Sequence, residues 1–249
     1  MNSVEKALTA LKRLADPPFE FGVTELAAEC SITKGGMHKL LASLISTGFV
    51  VQNPLSKKYM LGSVNFRLGT IFGQRKGVHE IAGMVMEDLA RSTKYNVILG
   101  FLEVDCAVLA HMVKGEKATL YLGWIGQKLP LHAGTIGKTL VAYLEPEEIR
   151  KLFEGKQLEK YTSQTPTDPE KVIAQCAEIR KQGYMASTGE RVSSVFSVAV
   201  PVFDRNSHPW ASLSLIGPVD DYSEENKEYW VHLLRGTAKD IEDRLNLRA

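Results

Sequence analysis

The first part of the chain places apolar residues at the spacing of short helices. Positions three or four apart are apolar in three segments, which predicts helices at residues 4–14, 24–29 and 34–47. Asp16-Pro17-Pro18 ends the first helix, and Gly48 follows the third as a C-terminal cap. Two short apolar runs then flank a turn at residues 53–56, which predicts a hairpin of strands 49–51 and 58–61. Helix, helix, turn, helix and hairpin is the order of a winged helix-turn-helix.

The third of these helices has an apolar face and a polar face. Thr33 is placed to cap its first turn through the side-chain hydroxyl. We expect the helix to bury five apolar side chains: Met37, Leu40, Leu41, Leu44 and Ile45. Its opposite face would then present Lys34, Gly35, His38, Lys39 and Ala42. Gly35-Gly36 in the first turn is unusual, because glycine costs about 1 kcal/mol relative to alanine inside a helix. Close approach to a ligand backbone and a loosely formed helix start both explain these glycines.

Strands and helices are mixed in the remainder, which predicts an α+β fold with an α/β sensor domain. The predicted strands are 97–104, 107–113, 118–124, 184–187, 197–203 and 210–216. The predicted helices are 64–74, 79–92, 134–144, 146–153, 169–182 and 222–245, with a hinge at residues 73–77. This pattern divides the chain into a winged helix-turn-helix domain at residues 1–63, a linker helix and hinge at 64–77, and a second domain at 78–249.

Charge is distributed unevenly, although the formal net charge is only +1. Residues 31–76 contain no acidic residue and seven cations, Lys34, Lys39, Lys57, Lys58, Arg67, Arg75 and Lys76. A short cationic segment beside a mildly acidic remainder indicates local contact with a polyanion. A helix that fits the major groove, with Lys57 and Lys58 of the hairpin on phosphates, is the expected arrangement on DNA.

Several other classes of protein are disfavoured. No apolar run approaches the roughly 18 residues of a membrane helix, and the N-terminus lacks the pattern of a signal peptide. Cys30, Cys106 and Cys176 are far apart and form no CxxC pair, so buried thiols in a reducing cytoplasm are expected and a metal site is not. His111 and His132 are each lone histidines in apolar surroundings, which favours a structural role. We therefore expect no catalytic site and no cofactor.

Several blocks resemble the IclR-type transcriptional regulators, in the order in which that family has them. TELAAECSITKGGMHKLLASLISTGFV resembles the family's helix-turn-helix, and KYMLG the exit from its wing. PLHAGTIGKTLVAYL resembles the mid-domain signature, and EIRKQGYMAS with SVAVPVFD and ASLSLIGP the closing signature. The resemblance implies a cytoplasmic, non-enzymatic regulator that forms a dimer or a dimer of dimers on double-stranded operator DNA. It also implies that the second domain is GAF-like and binds a small organic or aromatic acid.

The resemblance also assigns residues to the two sites. DNA contacts are expected from Thr33, Lys34, Gly35, Gly36, His38, Lys39, Lys57 and Lys58. The backbone N–H groups of Thr135 and Ile136 would receive an effector carboxylate, since the start of a helix favours an anion. Ser187, Ser197 and Ser214 would supply polar contacts, and the apolar or aromatic wall would comprise Tyr121, Trp124, Leu129, Val195 and Ile216.

Two departures from the family and two other functions bear on this prediction. Ser187-Thr188 stands where many members carry paired acidic residues, and Gly35-Gly36 where many carry Ser-Thr. An enzyme or metabolite sensor whose N-terminal helices serve only for association is the main alternative. Single-stranded RNA binding is less favoured, because the basic segment lacks interleaved aromatic residues for base stacking.

Overall fold

The computed structural model describes residues 1–117 and 123–247 of the chain. It divides into two compact units, Met1–Lys76 and Gly77–Ala249. The helix that we predicted as a separate linker belongs to the first unit by this division. Each unit has its own hydrophobic core, and no helix among the described residues is long and apolar enough to cross a membrane.

The first unit is a three-helix cluster with a two-stranded wing and a further helix. Its elements are α1 (Ser3–Leu14), α2 (Val23–Glu29), α3 (Lys34–Ser46), β1 (Val50–Gln52), β2 (Tyr59–Leu61) and α4 (Ser63–Lys76). β1 and β2 pair antiparallel, and Phe21 joins their sheet by exchanging backbone hydrogen bonds with Tyr59 at 3.0 and 2.8 Å. Phe21 is fully buried, so this pairing fixes the wing to the helical core.

Both predicted caps of α3 are confirmed. The side-chain oxygen of Thr33 accepts a hydrogen bond from the N–H of Gly36 at 3.2 Å. At the other end Gly48 has a φ of 77°, and its N–H donates to Ile45 while that of Phe49 donates to Leu44. These two bonds satisfy carbonyls that the last turn leaves unpaired. The predicted burial of Ile45 is wrong, because its side chain turns away from the core and is 40% exposed.

The connection between the units also differs from the prediction. Residues 73–76 are not a hinge but the last turn of α4, and Gly77 alone takes a left-handed conformation, with a φ of 71°. The predicted helix 79–92 is interrupted as well. A π-helical turn, Val78–Gly83, precedes α5, which spans Met84–Thr93. Apolar spacing does not distinguish a π-helical turn from an α-helix, because one inserted residue changes the backbone hydrogen bonds and leaves the apolar pattern almost intact.

The second unit is built on a six-stranded antiparallel sheet of order β5-β4-β3-β8-β7-β6. Its strands are β3 (Asn96–Leu102), β4 (Ala107–Val113), β5 (Lys128–Leu129), β6 (Met185–Thr188), β7 (Val195–Phe203) and β8 (Pro209–Pro218). The predicted strand 118–124 falls mostly outside the described residues, and its last two residues, Gly123 and Trp124, are not in a strand.

Helices cover both faces of this sheet. They are α6 (Thr135–Val141), α7 (Pro146–Phe153), α8 (Pro169–Gln182) and α9 (Glu224–Leu247). Leu213 and Leu215 of β8 belong to a core with α5 and α9, whereas Ile216 belongs to a core with α6, α7 and α8. Burial on both faces explains why the strands have few charged positions.

Helix α6 is buried along its whole length. Two glycines permit this close packing. A Cβ on Gly137 would lie 2.5 Å from the carbonyl oxygen of Pro130, and a Cβ on Gly100 would lie 2.4 Å from the Cγ2 of Ile136. The helix ends at Val141, three residues before the predicted end.

Candidate functional sites

The outward face of α3 carries the predicted cations in an exposed position. Lys34, Gly35, His38 and Lys39 are all exposed, while Met37 on the opposite face is fully buried. Neither Lys34 nor Lys39 forms an ion pair with any of the described residues. This face therefore presents unneutralised positive charge, as a surface that contacts phosphates requires.

The wing turn is held by the side chain of Asn53. Its Oδ1 accepts hydrogen bonds from the N–H groups of Leu55 at 2.9 Å and Ser56 at 3.2 Å. The chain then passes through Lys57 with a left-handed φ of 57°. Lys57 and Lys58 are both exposed and form no ion pair within the parts of the chain that the structure describes. The wing thus adds two cations in the same unit as α3.

Gly35 and Gly36 differ in their surroundings. A Cβ on Gly35 would meet nothing within 4 Å, whereas a Cβ on Gly36 would lie 2.9 Å from the capping oxygen of Thr33. The structure therefore explains why position 36 is glycine, because a side chain there would collide with the Thr33 cap. No contact within the described chain explains why position 35 is glycine. The open space beside Gly35 favours close approach of another molecule.

A cavity lies in the second unit between the sheet and the start of α6. It encloses about 480 Å³ of space not filled by atoms, part of it open to solvent. Leu129 from one edge strand and Ser187 from the other both line it, so the sheet is strongly curled around α6. The residues that line it are Leu129, Ala133, Gly134, Thr135, Ile136, Gly137, Ser187, Gly189, Glu190, Arg191, Val192, Val195, Ser197 and Ile216.

Strand register brings three of the predicted residues side by side on the cavity wall. Ser187 of β6 lies opposite Ser197 of β7, and Ser197 lies opposite Ile216 of β8. Neighbouring strands are roughly 5 Å apart, so these side chains form one row across the sheet. Two hydroxyls and one apolar side chain therefore face the cavity from the sheet.

The start of α6 faces this row. The N–H groups of Thr135 and Ile136 donate to no acceptor in the described residues, and both residues line the cavity. The hydroxyl of Thr135 lies 3.3 Å from that of Ser214. Ser214 is fully buried beneath Thr135 and does not line the cavity, and its contact with the effector stays a prediction.

Three residues of the predicted apolar or aromatic wall, Leu129, Val195 and Ile216, line the cavity. Trp124 lies in the turn before β5, where its carbonyl accepts from the N–H of Gln127 at 3.0 Å, and it is not among the lining residues. Tyr121 lies outside the described residues. Glu190 and Arg191, for which the sequence made no prediction, also line the cavity.

His132 and the three cysteines lie in buried positions that favour a structural role. His132 is buried, its Nε2 lies 2.9 Å from the carbonyl oxygen of Glu159, and its ring stacks on Tyr161. All three cysteines are buried and free. Burial raises the pKa of the Cys106 and Cys176 thiols to about 11, so neither has the character of a nucleophile.

Comparison with known proteins identifies the class of molecule that combines these two sites. Residues 3–54 match the IclR helix-turn-helix domain, and residues 73–243 match the model described as the bacterial transcriptional regulator IclR C-terminal domain. The chain is a DNA-binding transcriptional regulator and belongs to the IclR family.

Individual relatives cover nearly the whole chain. It is 31% identical over 245 residues to the HTH-type transcriptional regulator KdgR of Dickeya chrysanthemi, covering 98% of this chain and 80% of the relative. A putative regulator of the family from Silicibacter sp. TM1040 has the same fold, with a TM-score of 0.90, 24% identity and coverage of 98% and 96%. An IclR homologue from Microbacterium hydrocarbonoxydans, solved in complex with 4-hydroxybenzoate, gives a TM-score of 0.83 at 20% identity, with coverage of 99% and 100%.

Proposed function

We propose that the first unit binds operator DNA through α3 and the wing, and that a small organic acid in the cavity of the second unit controls this binding. The observation that carries the proposal is the segment 31–76, which holds seven cations and no anion. Its cations on α3 and the wing are exposed, and none of these four forms an ion pair with the described residues. Such charge binds a polyanion by releasing its counterions.

Each element of the first unit has its own role in this proposal. Lys34, His38 and Lys39 reach base edges or phosphates from the exposed face of α3, and Thr33 fixes the start of that helix. The backbone of Gly35 and Gly36 approaches the sugar-phosphate chain. Lys57 and Lys58 hold phosphates from the wing and set the register of the helix.

We propose that two such units act together in a dimer or a dimer of dimers in the cytoplasm. Helix α4 supports an association between copies of the chain, because Phe66 is 79% exposed and Leu68 and Ile71 are also exposed. Apolar side chains gathered on one exposed helix are typical of an interaction surface. The residues that follow the wing, 64–77, would transmit changes between the effector domain, 78–249, and the DNA-binding unit, 1–63.

The chemistry of the cavity supports an organic acid as the effector. The free N–H groups of Thr135 and Ile136 are donors for a carboxylate, and Arg191 adds a cation to the lining. Ser187 and Ser197 offer hydroxyls, while Leu129, Val195 and Ile216 enclose an apolar part. Control requires that the acid bind two arrangements of the protein with different affinity.

Fluorescence anisotropy with labelled duplex DNA from upstream of the protein's own gene tests the DNA-binding surface. We expect an affinity that falls steeply with rising salt, and a loss on the order of tenfold in Lys39→Ala and Lys57→Ala. Lys171→Ala is the matched control, because Lys171 is exposed on α8 of the second unit. Equal affinity in all four proteins, or binding that ignores salt, would favour the alternative in which the N-terminal helices serve only for association.

A thermal-shift screen of organic acids and their matched amides tests the effector site. An acid that binds the folded state raises the melting temperature in proportion to the logarithm of its concentration, and the neutral amide does not. Ser197→Ala should weaken this response, because it removes a hydroxyl from the cavity without adding bulk. A response that is the same for acids and amides contradicts an anion site.

A further inference from the structure

The carboxylate of Glu190 occupies a fixed place at the edge of the cavity. Glu190 lines the cavity but is only 8% exposed. Its Oε2 accepts a hydrogen bond from the N–H of Gly134 at 2.9 Å, and both carboxylate oxygens lie 2.7 Å from the Nζ of Lys138. This buried acid was not assigned to the effector site by its pattern in the sequence.

The backbone around Glu190 is held as firmly as its side chain. The hydroxyl of Thr165 donates to the carbonyl of Glu190 at 2.6 Å, and that of Thr162 donates to the carbonyl of Gly189 at 2.6 Å. The two hydroxyls hold the backbone of Gly189 and Glu190, and the carboxylate itself cannot turn away without breaking its bonds to the N–H of Gly134 and the ammonium of Lys138.

The ammonium of Lys138 uses all its hydrogen-bond donors on residues of the same unit. Its side chain is completely buried, and its Nζ donates to both oxygens of Glu190 and to the Oε1 of Gln175 at 3.0 Å. An ammonium has three donors, so none is left for a ligand. Burial lowers the pKa of Lys138, and the adjacent Glu190 carboxylate opposes this effect.

Glu190, by contrast, retains one acceptor position. A carboxylate offers about four lone-pair sites, and Gly134 and Lys138 use three of them in the described structure. The remaining site belongs to Oε1, because Oε2 accepts from both Gly134 and Lys138 whereas Oε1 accepts from Lys138 alone. Its charge is already balanced by Lys138, so a neutral O–H donor satisfies it without adding a further cation beside Lys138 and Arg191.

We propose that Glu190 is a specificity-determining residue that accepts a hydrogen bond from a hydroxyl group of the effector. The cavity is then selective for hydroxylated organic acids over the corresponding unsubstituted acids and amino acids. This inference rests on the proposed binding of an organic acid in the same cavity. It adds that one group on that acid must be a hydroxyl donor.

Two matched series of ligands test this selectivity by calorimetric titration of the full chain. The first is lactate, propionate and alanine, and the second is 2-hydroxyhexanoate, hexanoate and norleucine. We expect the hydroxy acid of at least one series to bind on the order of tenfold more tightly than the unsubstituted acid, as one hydrogen bond to a charged acceptor provides. The amino acid should show no such gain.

The double variant Lys138→Met with Glu190→Gln assigns the preference to this pair. It removes both charges at similar volume, so the ratio of affinities for the hydroxy acid and the unsubstituted acid should fall several-fold, toward one. Ile179→Val is the control, because Ile179 is a buried core residue outside the cavity lining and its loss of a methyl group lowers stability without changing the ratio.

The outcomes separate this inference from the function on which it rests. Equal binding of hydroxy and unsubstituted acids by the native chain, or a ratio unchanged in the double variant, overturns the role of Glu190 and leaves an acid-binding regulator. No binding of any acid overturns both the role of Glu190 and the proposed effector. If the double variant does not fold, the test is whether the native chain binds the hydroxy acid more tightly than the unsubstituted acid, and equal binding overturns the inference.

Discussion

At the scale of single residues, local chemistry was predictable and distant pairing was not. Thr33 was identified as a helix cap because its contact with the N–H of Gly36 lies within one turn. Lys138 and Glu190 are 52 positions apart, and no spacing rule relates them. Their ion pair exists only because α6 and the loop before β7 pack together. The contact between Thr135 and Ser214, which are 79 positions apart, could not be predicted for the same reason.

The three cysteines provide a prediction at this scale. Burial raises the pKa of Cys106 and Cys176 from 9.0 to about 11 and also raises the pKa of Cys30. We expect all three to react slowly with Ellman's reagent in the native protein at pH 8 and quickly in urea. A thiol that reacts rapidly in the native protein contradicts this description.

The same pKa shifts predict how stability depends on alkaline pH. Because the folded state holds these thiol protons more strongly than the unfolded state, their contribution is complete below pH 9.0 and is lost as pH rises toward about 11. Urea unfolding across this range should show a falling free energy of unfolding. Cys176→Ala should flatten the slope, and an unchanged slope would exclude Cys176 as its source.

At the scale of elements, most helices and strands could be predicted because their apolar periods are regular. The wrong predictions lie where two kinds of local structure are compatible with the same apolar spacing. Residues 73–76 contain glycine and were predicted as a hinge, yet they continue α4. The π-helical turn Val78–Gly83 was predicted as α-helix for the same reason.

Gly35 and Gly36 of α3 allow a matched test of their two explanations. Gly35→Ala should stabilise the protein by about 0.5–1 kcal/mol, because an added methyl group meets open space and alanine favours a helix. Gly36→Ala should destabilise it, because the methyl group would collide with the Thr33 cap. Urea unfolding measures both changes.

DNA affinity of the Gly35→Ala variant then distinguishes close approach from a loose helix start. If the backbone at Gly35 lies against the sugar-phosphate chain, the variant should bind duplex DNA more weakly despite its greater stability. Unchanged or tighter binding would mean that Gly35 has no role at the DNA surface.

At the scale of the whole molecule, the division into units was predictable from the change in pattern after the wing. The core of the first unit lies between Ala10 and Tyr59, and the two cores of the second lie between Ile81 and Ile241. Because each unit has a core of its own among the described residues, fragments 1–76 and 77–249 should each fold. Circular dichroism should show a cooperative thermal transition for each fragment, and a fragment without one would contradict independent cores.

The arrangement of the cavity could not be predicted at this scale. Its walls come from both edge strands and from the start of α6, which meet only because the sheet curls. The resemblance to the IclR family nevertheless pointed to half of its lining residues, because the signature blocks carry Thr135, Ser187 and Ser197. Glu190 and Arg191 could not be placed at the cavity from the sequence, because sequence alone does not show which polar residue of a loop turns inward.

The most direct test is a gel-shift titration of the full chain on duplex DNA from upstream of its own gene, with and without an acid found by thermal shift. We expect a specific complex that survives excess unrelated DNA and whose dissociation constant changes about 5–150-fold when the acid is added. Absence of a specific complex both with and without the acid would contradict the assignment of α3 and the wing as an effector-controlled DNA-binding surface.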